Sequence, residues 1–171
     1  GSEMCIRDRY LLDSGGRVAH TWPGRYRPRL SACLLDDGSI LRPYQQGADN
    51  PFQHGPPVPG GGLRRIAWDG TVLWHFPFVH ESYRLHHDIE PLPNGNVLAI
   101  AHHRKTAAEA VAAGRNPKLL ARDELWPDAI LEIKPTGPAS GEIVWAWHVW
   151  DHLIQDFDRT KSNYGEVAEH P

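Results

Sequence analysis

Cysteine is almost missing from this chain. Cys5 and Cys33 are the whole complement, and nothing in their spacing makes a disulfide framework or a thiolate metal site. Cys33 lies in the apolar run Ala32-Cys33-Leu34, where it reads as a small buried residue. An excess of one charge is missing too. Eighteen Lys and Arg stand against twenty-one Asp and Glu, a formal net charge of -3 with the histidines neutral. Broad nucleic-acid binding calls for a basic footprint, so no nucleic acid is expected as a partner. Arg25, Arg27 and Arg29 form a short basic run, "GRYRPRL", which suits a solvated loop or an anion-facing rim. Long apolar runs are also lacking. None has the length of a membrane helix and no signal peptide is visible, so no membrane partner is expected.

Turn formers and aromatics are what the chain has instead. Seven tryptophans, fifteen prolines and sixteen glycines are spread over 171 residues. Trp favours strands while Gly and Pro punctuate them, and the composition therefore leans to a β protein with many turns. The length suits one ordinary domain. Residues 1–9 read as a cloning scar ("GS") and an adapter-derived tail ("SEMCIRDR") of the kind seen on translated metagenomic fragments. The domain is placed at 10–171.

Five hairpins punctuate that domain. "YLLDSGGRVAHTW" (10–22), "RRIAWDGTVLWHF" (64–76) and "AILEIKPTGPASGEIVWAWHVW" (129–150) each show an alternating run, a glycine turn and a second run ending in aromatics. The third has the longer loop, with Gly141 preceding Glu142-Ile143-Val144-Trp145. Interleaved with them, "ACLLDDGSILRPY" (32–44) turns at Asp37-Gly38 and "DIEPLPNGNVLAI" (88–100) at Asn94-Gly95. Hairpins 32–44 and 64–76 side by side make one four-stranded antiparallel sheet, and 88–100 with 129–150 make a second. A sheet-sized unit on the order of 55 to 65 residues suggests β-propeller blades. The fold class is all-β: a partial β-propeller of about two four-stranded blades plus one extra hairpin. Propellers typically have about 4 to 8 blades. The chain thus reads as a fragment with open lateral faces, and self-association through them is expected. Two inserts interrupt the hairpins. Residues 45–62 form a Pro/Gly-rich loop, and 105–126 hold a short helix that Thr106 caps and Gly114 stops.

Eleven histidines are present, and "LHHDIEPLPNGNVLAIAHHR" (85–104) concentrates four of them. An antiparallel hairpin brings the end of its second strand beside the start of its first, so His86 and His87 should lie near His102, His103 and Arg104. An imidazole placed there can be a metal ligand, an acid–base group or a nucleophile. Arg104 favours an anion through its rigid multi-donor fork, a solvated loop charge being the plainer reading. Regular alternation sends His86 and Asp88 to the face opposite His87. Adjacent histidines on a regular strand rarely share one metal, and neither a metal nor a cofactor is expected. His152, in "WHVWDHLIQDF", falls at the same phase of the hairpin pattern as His87. These two are the expected catalytic residues, facing one axial space, with His86, His102, His103 and Arg104 as substrate-binding neighbours. Among the tryptophans, Trp145 and Trp147 share a strand face that Trp74 matches in the earlier sheet, and packing between sheets accounts for all three. Asp151 and Asp156 with His152 would suit a hydrolase only with a third partner.

"HHDIEPLPNGNVL" followed by "GEIVWAWHVWDHLIQDFDRTKSNYGEVAEHP" resembles the arylsulfotransferase-like family, over about Arg29 to Pro171. The resemblance implies a β-propeller with a histidine-lined central site. It implies transfer of a sulfuryl group from an aryl sulfate donor to a phenolic acceptor by a ping-pong route through a sulfated histidine. It also implies no nucleotide sulfate donor and export to the bacterial periplasm. His87, in the "HD" before the "NGN" turn, matches a family histidine near the donor's sulfate, and His152, in "WDH", is the next candidate. The family's nucleophilic histidine and its anion-binding arginine and asparagine come from later blades and match no position here. Such a fragment supplies one side of the sulfuryl cage and is expected to be inactive alone. Two other functions fit the same residues: a non-catalytic binding or scaffold propeller, and a metal-dependent hydrolase.

Overall fold

The computed structural model describes residues 8–27, 30–45, 61–120 and 123–169. Cys5, Arg29 and most of the expected 45–62 loop lie outside the described residues. Five of the turns are tight. At Asp13–Arg17, Leu35–Ser39, Ala67–Thr71 and Leu92–Asn96 the same pair of bonds recurs: the first N–H donates to the fifth carbonyl, and the fourth N–H to the first carbonyl. The fourth residue is a glycine each time, at φ +78, +76, +88 and +84°. Only glycine takes this left-handed conformation without steric cost. The fifth turn is different. It spans Pro138 and Ala139 between Gly137 and Ser140, which pair directly. The longer loop expected there is therefore replaced by two long strands, and register shifts at Glu132/Ile133 and Pro135/Gly137 absorb the residues that looked like a loop.

The strands assemble in chain order. β1 (Arg9–Leu12) and β2 (Val18–Trp22) form a separate hairpin. β3 (Cys33–Leu34), β4 (Ile40–Gln45), β5 (Gly61–Ile66) and β6 (Val72–Phe76) form a four-stranded antiparallel sheet. β7 (Tyr83–Pro91) and β8 (Val97–His103) begin a second. An excursion follows, comprising β9 (Lys105–Thr106), α1 (Ala107–Ala112) and β10 (Glu124–Leu125). β11 (Asp128–Gly137) and β12 (Ser140–His148) then complete the sheet in the order β7-β8-β11-β12. The fold is all-β in antiparallel sheets. Arg9 pairs with Trp22 and the Asp8 carboxylate accepts the Gly24 N–H at 2.7 Å, so both residues take part in the fold.

The layers also stack in chain order. Leu41, Leu63 and Trp74 of the first sheet pack on Leu85, Ile89, Val97, Leu131 and Ile133 of the second. On its other face the first sheet packs Ile40 and Ile66 against Trp22 of the hairpin. Leu63, Leu131 and Ile133 are fully buried, each worth roughly 1.5–3 kcal/mol of burial. Leading strand lies by leading strand: Cys33 Sγ is 3.8 Å from the Ile89 carbonyl, and Ser31 Oγ donates to that of His87. Closing strand lies by closing strand: Trp74 Nε1 donates to the Ser140 carbonyl at 2.9 Å, and the His75 N–H to that of Pro138 at 2.8 Å. Trp74 thus packs between sheets as expected, but Trp145 and Trp147 do not. They lie on the outer face of the second sheet, 49% and 37% exposed.

Helix α1 follows its sequence signals. Thr106 and Glu109 form a capping box, and Gly114 leaves the helix at φ +96°. The excursion also settles Arg104. Its Nε and Nη2 both reach Glu124 Oε1, at 2.8 and 2.6 Å, which ties the guanidinium to a carboxylate of the excursion.

Candidate functional site

Residues Tyr83, His103, Asp128 and His148 mark one end of the second sheet, where β7 and β11 start and β8 and β12 finish. Alternation there decides which histidines meet. His102 pairs with Arg84 on one side and Asp128 on the other. Its neighbour His103 pairs with Tyr83 and turns to the opposite face. The four imidazoles expected together are therefore divided between two faces.

The outer face holds His86, His102 and Asp128, and a bulge brings His87 to them. Leu85 pairs with Ala101 and Ile89 with Ala99, so His86, His87 and Asp88 all stand opposite Ile100 alone. His87 takes φ +49°, which costs a non-glycine residue roughly 1 kcal/mol or more and concentrates at functional sites. The turn carries the His87 ring back onto its neighbour, with His86 Nδ1 and His87 Nδ1 2.8 Å apart. His86 Nε2 lies 3.2 Å and His102 Nδ1 3.1 Å from the same carboxylate oxygen, Asp128 Oδ1. The His86 and His102 rings stack with centroids 3.8 Å apart.

These contacts fix the protons. An ionised carboxylate only accepts, so His86 Nε2 and His102 Nδ1 carry the hydrogens that face Asp128. Burial first, then the neighbouring His102, pushes His86 well below the ordinary histidine range, so its ring is neutral. A neutral ring has one N–H. His86 Nδ1 must then be an acceptor, and His87 Nδ1 is the donor to it. A neutral His87 consequently carries its remaining lone pair on Nε2, on an exposed ring. His102 is lowered as well, by burial against the opposing pull of Asp128.

The inner face is organised differently. Tyr83 Oη and His148 Nε2 are 2.7 Å apart, and His148 Nδ1 stands 3.5 Å from Asp151. The His103 ring lies 4.9 Å from that of Tyr83 and 4.7 Å from that of His148, and its buried Nδ1 has no hydrogen-bond partner among the described residues. Burial, then the charges of Lys105 and His148, bring His103 down to about 4. Burial, then Asp151, raises the Tyr83 phenol. This group is a desolvated packing cluster. Beyond it, a cavity of about 380 Å³ is lined by Leu125, Trp150, Asp151, Ile154 and Lys161 among others, with no histidine in its wall.

His152 joins neither group. It follows β12, at the sheet edge opposite β7, with β8 and β11 between, and its exposed ring stacks on Trp147 at 4.9 Å. His87, on β7, and His152, after β12, thus stand at the two edge strands of the second sheet. Asp156 is exposed. Asp128, Tyr83 and His148 are the participants that sequence reasoning missed. Asp128 carried one signal: it immediately precedes the alternating run Ala129–Ile133, and pairing that strand with β8 sets it opposite His102. No family model, curated protein or solved structure matches this chain.

Proposed function

We propose that this chain is part of an exported, periplasmic β-propeller enzyme. Its reaction moves a sulfuryl group from an aryl sulfate to a phenol through a histidine intermediate, with His87 as the acid–base group. The resemblance of "HHDIEPLPNGNVL" and the C-terminal run supplies the reaction class. Support for the architecture comes from the layering, leading strand by leading strand and closing strand by closing strand, which is how blades follow one another. The observation that carries the chemical reading is the relay Asp128–His86–His87. It holds one tautomer of His87 and directs an unshared pair outward, the arrangement a general base requires.

The proton accounting is then simple. The donor's phenolate leaves and takes its proton from solvent, because the resting His87 Nε2 carries none. When an acceptor phenol attacks the sulfated histidine, its proton passes to His87 Nε2 as the sulfur–nitrogen bond breaks, and His87 then returns it to solvent. In the protonated state Asp128, acting through His86, disperses the ring's charge. The sulfated histidine itself belongs to another blade, and His152 has no part in this scheme. With one side of the cage present, turnover by this chain alone is expected to be very low. Binding is the sharper test. Calorimetric titration with a chromogenic phenolic sulfate should give a saturable site that His87→Ala abolishes. Equal binding by the His87→Ala chain would overturn the reading.

A further inference from the structure

Three neighbouring strands each deliver one metal-binding group to the outer face: His86 on β7, His102 on β8 and Asp128 on β11. His86 Nε2, His102 Nδ1 and an Asp128 oxygen all lie within 4.8 Å of one another. The two nitrogen–oxygen edges measure 3.2 and 3.1 Å. Ligands at about 2.0–2.1 Å from a tetrahedral Zn²⁺ stand about 3.3 Å apart, so both edges already have the length of a coordination shell. We propose that His86, His102 and Asp128 form a binding site for a divalent transition-metal ion of the Zn²⁺ class.

The donor set selects the class. Two imidazoles and a carboxylate suit Zn²⁺, Co²⁺ or Ni²⁺, whereas Mg²⁺ and Ca²⁺ prefer oxygen alone. Access and rigidity are both provided. The His86 and His102 side chains are 5% and 15% exposed, while that of Asp128 is 54% exposed and opens the site to solvent. The β8–β11 ladder pairs His102 directly with Asp128, and His86 follows the last paired residue before the bulge, Leu85. Binding requires the stacked rings, now inclined at 25°, to fan apart until an ion lies in both planes. The fourth position remains open to water or an anion.

The ion needs lone pairs at His86 Nε2 and His102 Nδ1, so each ligand ring would carry its proton on its other nitrogen. The metal site does not rest on the proposed function.

The full chain, stripped with a chelator and titrated with Zn²⁺ and with Co²⁺, tests the site. One ion per chain and a visible Co²⁺ absorption of a low-coordinate centre are expected. Affinity should fall at least tenfold in His102→Ala and in Asp128→Asn, both at partly exposed side chains, and persist in His103→Ala on the inner face. Absence of saturable binding, or equal affinity in the Asp128→Asn chain, would overturn the proposal. Metal binding and phenolic sulfate binding are read separately, so either reading can fail while the other stands.

Discussion

On the outer face of the second sheet, His86 and His102 share a carboxylate; on the inner face, His103 and His148 share a phenol's surroundings. The two groups are neighbours on the same strands, with the same residue type. Their difference lies in what opposes desolvation. Asp128 pulls toward the charged state on the outer face, and His87 continues that group to the surface. On the inner face Tyr83 is itself desolvated, Asp151 stands at 3.5 Å from His148, and the His103 ring keeps a bare buried nitrogen. Histidine density alone therefore does not make a site. A carboxylate behind the imidazole and an outlet in front of it do.

Three experiments would break or sharpen this contrast. The largest effect is expected from Leu131→Ala. Leu131 is fully buried in the shared core, and its loss should cost about 3 kcal/mol in urea unfolding, with both clusters failing in one transition. A smaller transition confined to one face would show that the faces are supported independently.

Acid gives the next effect, and its sign follows from linkage. His103 titrates lower in the folded chain than in the unfolded one, so its share of stability is complete above the ordinary histidine pKa of about 6.5 and is lost as the pH falls toward about 4. The lowered His86 and His102 act in the same direction. Unfolding midpoints measured across this window should decline less in His103→Leu. They should decline more steeply in Asp128→Asn, which removes the group opposing the His86 and His102 shifts. An Asp128→Asn acid limb identical to that of the parent chain would contradict the assigned electrostatics.

Tyr83→Phe should have the smallest effect, about 1 kcal/mol for the lost hydrogen bond to His148. Its consequence should stay on the inner face, leaving Co²⁺ binding unchanged. A change in Co²⁺ affinity would mean that the sheet transmits the loss between its faces.

Much of the scaffold was legible in the sequence. The Asp-Gly and Asn-Gly turns, the grouping of hairpins into two sheets and the Thr106 cap each rest on local chemistry. Local rules also explain what was misread. Pro135, Gly137 and Gly141 look like a loop because a register shift has no residue signature of its own, and the strands continue through it. Trp145 and Trp147 have the right alternation for a buried face, but alternation does not say which face another layer covers. The candidate site was half legible. His86, His87 and His102 were gathered as expected, while alternation sent His103 away. Asp128 joined across the intervening excursion through a pairing that only tertiary structure sets. Arg104 found Glu124 within that same excursion, and His152 was placed by its phase along the chain although three strand spacings lie between it and β7.

The bulge at His86–Asp88 has a mechanical consequence. Since it sets three residues against one, the β7–β8 pairing consists of two short ladders with a slack joint between them. Strain or a small insertion at the Pro93–Asn96 tip would be taken up at that joint before it reached Tyr83–Leu85. The tip of this hairpin can therefore drift in sequence and shape while Tyr83, Arg84 and Leu85 keep their register with β8.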